Sequence, residues 1–325
     1  MDNKTLIKET RKVLHDNKVE WETRYIEYAG RISCNLNNIL RVRKTFHEWD
    51  TLKLYLSTTN AKTAKKKIRL DLRYLGQSIA QIKADTGDVK ITTKDKLANN
   101  QKFFGCDILL NNVEWNSPEA AAFRKHFLDH PQAIRGAGKG NEEHRIESLL
   151  LTEFLKKEGK VFRNIKPVTI ADIRFPMPTP LKASKKGIPG YAKQKGGGID
   201  ILARTGTGGK NTRLCIMELK DENKPSEPVN IVVQQAIKYA VFIRELLRSD
   251  AGEAWYKLFG FSSAIPEKLI LNAVCVMPDA EGTDISFAGE EYDIDGDIIQ
   301  LHYLFFEETS WNVIVPTRTS LYPKR

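Results

Sequence analysis

Two apolar runs, IDILAR at 199–204 and RLCIMELK at 213–220, flank a glycine-rich stretch, and each carries an acidic residue at its outer end. Short Ile- and Leu-rich runs bounded by glycine read as buried strands joined by a turn. Asp200 opens the first strand and Glu218 closes the second, with seventeen residues between them. Side chains alternate faces along a strand, so Glu218 and Lys220 project to one side and Leu219 to the other. A turn that pairs the two strands in matching register sets Asp200 beside Glu218.

That juxtaposition has chemical content. Two carboxylates held close repel one another and gain from a shared divalent cation. A neighbouring lysine orients or helps deprotonate a water, or neutralises charge developing on a phosphate. Glu-x-Lys also arises by chance in a lysine-rich chain, and Asp is common at a strand start. Here Glu218 and Lys220 terminate an apolar strand, where a charged pair is more often functional than structural.

The flanking sequence completes a pattern. NEEHRIESLLLTEFLKKEG at 141–159 reads as a helix: Asn141 can cap it, Glu142 and Glu143 suit its positive end, and Gly159 stops it. Strands are expected at 161–171, 199–204 and 213–220, a helix at about 229–248, and strands at 269–277 and 298–306. This alternation specifies an α/β sheet with helices packed against it.

Asp200 followed by Glu218-Leu219-Lys220 resembles the signature of the PD-(D/E)XK nuclease superfamily, which includes restriction, RecB-type and Holliday-junction-resolving enzymes. The resemblance covers residues 141–245. It implies a restriction-endonuclease-like αβββαβ core, with Asp200 and Glu218 holding Mg²⁺ or Mn²⁺ and Lys220 assisting the attacking water. Members often add a metal-binding glutamate from the preceding helix, a position matched by Glu147. RecB-like members carry Gln-x-x-x-Tyr on the following helix, matched by Gln235 and Tyr239, with Gln234 an adjacent candidate. Ile199 stands where the superfamily's proline would be. Two readings stand for the outlying residues. Glu147 is a metal ligand or an exposed helix residue like Glu143, and Gln235 with Tyr239 is a phosphate- or lysine-contacting pair or a polar helix edge.

Charge distribution bears on the partner. The net charge is +10, with residues 1–140 holding all of it, while residues 160–220 sum to +10 and residues 279–310 to −10. Basic sectors on both halves suit a polyanion. In the loop before Asp200, Lys182, Lys185, Lys186, Lys193 and Lys195 are candidate phosphate contacts and Tyr191 a candidate base-stacking ring, with glycines 196–198 permitting close approach. The bland alternative is a solvated loop. A second basic run comprises Lys62, Lys65, Lys66, Lys67 and Arg69. DNA is expected over RNA because most of the superfamily acts on DNA, and a homodimer would let both strands be cut. A role in defence or repair rests on analogy.

Other classes are excluded. The four cysteines form no CxxC pair and the histidines no HxxxH, so a disulfide framework or zinc site is not expected. The acidic EEYDIDGD at 290–297 has Leu304 where a calcium loop needs glutamate. The polar N-terminus lacks a signal peptide, and no stretch approaches the roughly 20 apolar residues a membrane helix needs, so a cytoplasmic location away from membranes is expected.

Residues 1–130 read as an α+β domain, 131–140 (PQAIRGAGKG) as a linker and 141–325 as the nuclease domain. Expected in the first part are a helix over 3–17, strands around Leu52–Leu56 and Ile68–Leu72, a hairpin turning at Asp85–Asp88, and a helix from Ser117-Pro118. Two alternatives remain to the enzyme: a nucleic-acid binder that keeps the fold without turnover, and a nuclease gated by a sensor or partner-binding first domain.

Overall fold

The computed structural model describes residues 1–46, 52–57, 68–83, 88–93, 104–129, 142–182, 188–194, 196–206, 211–220, 229–310 and 313–321. It begins with α1 (Asn3–Asp16), α2 (Lys18–Cys34) and α3 (Leu36–Phe46). Strands β1 (Leu52–Ser57), β2 (Arg69–Tyr74), β3 (Gln77–Lys83), β4 (Lys90–Thr92) and β5 (Val113–Glu114) follow, then α4 (Pro118–Asp129) and α5 (Glu142–Leu155). Next come β6 (Ile165–Pro167), β7 (Thr169–Ile170), β8 (Ile173–Arg174), β9 (Met177–Pro178), β10 (Gly198–Ile199), β11 (Ile201–Thr205) and β12 (Arg213–Leu219). The chain continues through α6 (Val229–Leu247), α7 (Gly252–Leu258), β13 (Ile270–Pro278), β14 (Glu291–Ile294), β15 (Asp297–Ser310) and β16 (Val313–Thr319). This is a mixed α/β protein.

The chain forms two compact units, one of residues 1–29, 150–168 and 176–325, the other of residues 30–149 and 169–175. This division departs from the expected domains at 1–130 and 141–325, and the linker at 131–140 lies outside the described residues. The physical reason lies in two segments. α1 buries Leu6, Ile7, Thr10 and Leu14 as a helical stripe and packs along α6, which places it with the C-terminal sheet. The single strand expected over 161–171 is two strands, β6 joining one sheet and β7 with β8 the other.

In the 30–149 unit the sheet order is β5-β4-β3-β2-β1-β8-β7. Leu52, Leu54 and Leu56 are buried as their alternation implies, and β1 pairs antiparallel with β2 and parallel with β8. β3 and β4 pair antiparallel as expected, while residues 84–87 of their connection lie outside the described set. The Ser117 hydroxyl accepts the Ala120 N–H at 3.2 Å, and α4 buries Phe123 and Phe127, as its start signal and apolar residues implied.

In the other unit the order is β14-β15-β13-β12-β11-β6, with β16 also on β15. β6, β11 and β12 form an antiparallel run, and β12, β13 and β15 are parallel. Parallel neighbours require a crossover, and α6 lies between β12 and β13 in the chain and packs on both. The helix also meets α1 and α7, so most of its side chains are buried. The acidic 290–297 segment forms a hairpin between β14 and β15, turning at Asp295 and Gly296 with φ of 53° and 89°.

Candidate active site

β11 and β12 pair Ile201 with Met217, Leu202 with Ile216 and Ala203 with Cys215. Extending that register by one residue sets Asp200 opposite Glu218. The Asp200 carboxylate accepts the Leu219 N–H at 2.8 Å. Lys220 Nζ lies 3.7 Å from Glu218 Oε1. The Lys220 N–H donates to the Val276 carbonyl at 3.0 Å, which carries the β12–β13 pairing past the last residue of β12 and holds the lysine in line. Glu218 is 3% exposed and Lys220 5%, whereas Asp200 is half-buried. Both strands are apolar here, so the two charged side chains enter the sheet's interior, with Asp200 at the edge of the group.

α6 closes the group from a second direction. Gln235, Lys238 and Tyr239 stand at i, i+3 and i+4, one helical face, and all three are buried. Burial, then the negative charges of Glu218 and Asp200, push the Tyr239 phenol well above its usual range, while a hydrogen bond from the Gln235 side chain opposes the rise. The hydroxyl therefore stays protonated at neutral pH. Burial lowers the Lys238 ammonium and the Glu218 charge counteracts this. Across the β12–β13 ladder from Glu218, the Cys275 thiol is driven up by burial, then by Glu218, with Lys220 opposing. It remains a thiol.

The structure thus brings together Asp200, Glu218, Lys220, Gln235 and Tyr239. It also separates the two glutamines. Gln235 is buried beside Tyr239, whereas Gln234 points outward and donates to the Met1 carbonyl at 2.7 Å. Lys238 was not among the sequence candidates. Its signal was a single cation inside the apolar stretch of NIVVQQAIKYAVFI.

Glu147 belongs to the 30–149 unit, where its buried side chain lies 3.3 Å from His144 Nδ1. Of the loop lysines, Lys182 and Lys193 are exposed, and Lys185, Lys186 and Lys195 lie outside the described residues, as do Lys62, Lys65, Lys66 and Lys67. The Tyr191 hydroxyl accepts from Arg24 Nη2 at 2.7 Å and the guanidinium sits 5.8 Å from the ring centroid. At Gly196 the close approach is to the chain itself, since a Cβ there would meet the Thr179 carbonyl oxygen at 2.0 Å.

Among the described residues no group of three His, Cys, Asp or Glu gathers in a metal-holding arrangement. The donors that do converge are two carboxylates, with no imidazole and a protonated thiol. That set fits a hard cation such as Mg²⁺, which commonly takes one or two carboxylates and completes its shell with water and substrate oxygens. A scan of protein-family models finds no match for this chain, and searches of curated proteins and of solved structures likewise find none.

Proposed function

We propose that the chain is a metal-dependent nuclease with a restriction-endonuclease-like core, hydrolysing phosphodiester bonds of DNA. The observation that carries this reading is the meeting of Asp200 and Glu218 on neighbouring strands with Lys220 3.7 Å from Glu218. The order of elements supports it: α5, the antiparallel run β6-β11-β12, α6, then β13 parallel to β12.

Asp200 and Glu218 would hold Mg²⁺ or Mn²⁺, which supplies Lewis acidity when bound. Lys220 places a cationic donor beside Glu218, where it orients the attacking water and offsets charge gathering on the phosphate. Tyr239 contributes an O–H donor, positioned by Gln235. The burial of Glu218 and Lys220 excludes bulk water and strengthens these interactions. Exposed Lys182 and Lys193 lie on the hairpin leading into Asp200 and suit a phosphate backbone.

The same burial favours one second reading. With Glu218 only 3% exposed, a nucleic-acid binder that keeps the fold without turnover also accounts for the site. Plasmid nicking with Mg²⁺ or Mn²⁺ decides between them. Cutting by the native chain that Asp200→Ala and Lys220→Ala abolish supports the nuclease. Cutting by all three overturns the site. Binding without cutting by the native chain supports the second reading.

A further inference from the structure

α1 presents two contrasting faces. Leu6, Ile7, Thr10 and Leu14 are buried, and the helix packs along α6. Lys4, Lys8, Arg11, Lys12 and His15, at i, i+4, i+7, i+8 and i+11, share the other side of the helix, and all but the half-buried Arg11 are exposed. They form one wall of a groove of 410 Å³, bordered also by Asp16, whose other wall carries Glu245 of α6 and Asp293 and Ile294 of β14. Arg11 spans the two walls. Its Nε donates to Glu245 at 3.1 Å and its Nη2 pairs with Asp295. Among the described residues, Lys4, Lys8 and Lys12 make no ion pair. Lys4 with Lys8, and Lys8 with Lys12, are like charges at i, i+4, which destabilises a helix. A face needing only solubility is better served by glutamate four residues before lysine. The row of lysines therefore calls for a reason outside the helix.

We propose that this face of α1 is a track for the phosphate backbone of DNA, with Lys4, Lys8 and Lys12 as successive phosphate contacts. For its partner the inference rests on the nuclease reading, while its residues are distinct from the Asp200–Glu218 group. The shape of the array selects the ligand. At 1.5 Å of rise per residue the stripe from Lys4 to His15 runs about 16 Å, and successive lysines stand about 6 Å apart along the axis. Cations in a line suit a linear polyanion, which releases its counterions as each phosphate is neutralised. A lone phosphate is held instead by donors that converge on it. The groove has the volume of a cleft for a molecule rather than a niche for one ion. A membrane surface is the poorer fit, because an interfacial helix inserts its apolar face, and that of α1 is already buried.

The test is fluorescence anisotropy of a labelled DNA duplex titrated with the full chain over a range of salt, in EDTA so that no cleavage occurs. The native protein is compared with the triple variant Lys4→Gln, Lys8→Gln, Lys12→Gln and with the same three positions changed to arginine. A control triple, Lys157→Gln, Lys257→Gln, Lys268→Gln, removes equal charge from exposed lysines elsewhere on the same unit. Glutamine matches lysine in helix propensity, and circular dichroism melting checks folding. The α1 glutamine triple is expected to weaken binding about ten-fold or more and to lower the slope of log affinity against log salt by about 2–3. The arginine triple is expected near native, and the control triple well short of the α1 loss. Native affinity and slope in the α1 glutamine triple overturn the inference and leave the nuclease reading standing. An equal loss in the control triple overturns it by making the effect one of net charge. Absence of DNA binding by the native chain overturns it too, as does unfolding of both α1 triples, which would make the lysines structural. Phosphatidylserine vesicles that capture the native chain but not the α1 glutamine triple, with DNA binding intact, reassign the face to a membrane. The expected binding pattern without Mg²⁺-dependent nicking by the native chain supports the α1 track and removes the nuclease reading.

Discussion

The Asp200 carboxylate accepts the Leu219 N–H at 2.8 Å, so one candidate metal-binding acid also latches the end of the strand that carries the other. The two roles separate by substitution. Asp200→Asn retains an oxygen able to accept the N–H and is expected to lower stability by less than about 1 kcal/mol. Asp200→Ala loses the charge-assisted bond and is expected to cost about 1.5–3 kcal/mol. Both are expected to lower nicking activity on the order of a hundred-fold or more, the scale of losing a principal electrostatic element of a site. Urea unfolding alongside a nicking assay checks the split, and an Asp200→Asn chain of undiminished activity would remove Asp200 from the site.

Gln234 and Gln235 are adjacent in sequence but face different surroundings. Gln235→Ala unsatisfies the Tyr239 hydroxyl in a buried setting and is expected to reduce activity roughly ten-fold. Gln234→Ala loses only an exposed bond to Met1 and is expected to leave activity within two-fold of native, on the order of the small effects typical of surface changes. Parallel nicking assays of the two variants decide it, and the reverse ranking would mean that the helix face is misassigned.

His302 is buried against Ser320, its Nδ1 3.1 Å from the hydroxyl, and its pKa is lowered to about 4, by burial first and then by Arg213, with Ser320 opposing. The unfolded chain binds this proton below about pH 6.5, while the folded chain resists it down to about 4. The contribution is therefore complete above about pH 6.5 and is lost as pH falls toward 4, by up to about 3 kcal/mol. Denaturant midpoints measured between pH 7 and pH 4 should fall for the native chain and fall less for His302→Gln. Parallel slopes would remove His302 as the cause.

Asp297 produces a separate, more acidic transition. Burial alone would raise its pKa, but Arg248, the Leu269 N–H and Arg244 together hold it below the usual carboxylate range. Arg244 Nε and Arg248 Nε donate to it at 2.8 and 2.9 Å, which ties α6 to the start of β15 and to the segment entering β13. A depressed carboxylate stabilises above the unfolded-state pKa and loses that contribution as pH drops through its folded value. Asp297→Ala removes the charge-assisted bonds from Arg244 and Arg248, while Arg244 keeps Glu245 and Asp295 as acidic partners, and is expected to cost about 1.5–3 kcal/mol at neutral pH. Thermal melting at pH 7 measures this directly.

Gly196 lies in the hairpin that delivers Asp200. Its Cβ would fall 2.0 Å from the Thr179 carbonyl oxygen and 2.6 Å from that of Leu181, both backbone atoms that move only with the hairpin. Gly196→Ala is expected to destabilise by about 1–3 kcal/mol through overpacking. Chemical denaturation tests this, with unchanged stability arguing against the close hairpin.

Much of the local structure was legible because it depends on neighbours in the chain. The helix over 3–17, the Ser117-Pro118 helix start, and the alternation of Leu52, Leu54 and Leu56 each appear as expected. So does the meeting of Asp200 with Glu218, since a turn between two short strands leaves few registers in which both apolar runs stay buried. α2 and α3 went unread, although Trp21, Tyr25, Tyr28 and Ile32 recur at helical spacing and are all buried.

What the chain could not announce were pairings across long separations. The 161–171 run divides because β6 finds β11 while β7 pairs with β8, which joins β1 more than a hundred residues away, and no local periodicity encodes that choice. The Tyr191 hydroxyl accepts from Arg24, 167 residues distant, a partner that no local pattern names. Whether Gln234 or Gln235 faces the acids depends on the rotation of α6 against β12, and the burial of Lys238 on the same face as Gln235 shows only once that rotation is set. Secondary structure and the register of a short hairpin follow from forces within a few residues. Burial and charge pairing follow from which distant surfaces exclude water together, and that was decided by the tertiary fold.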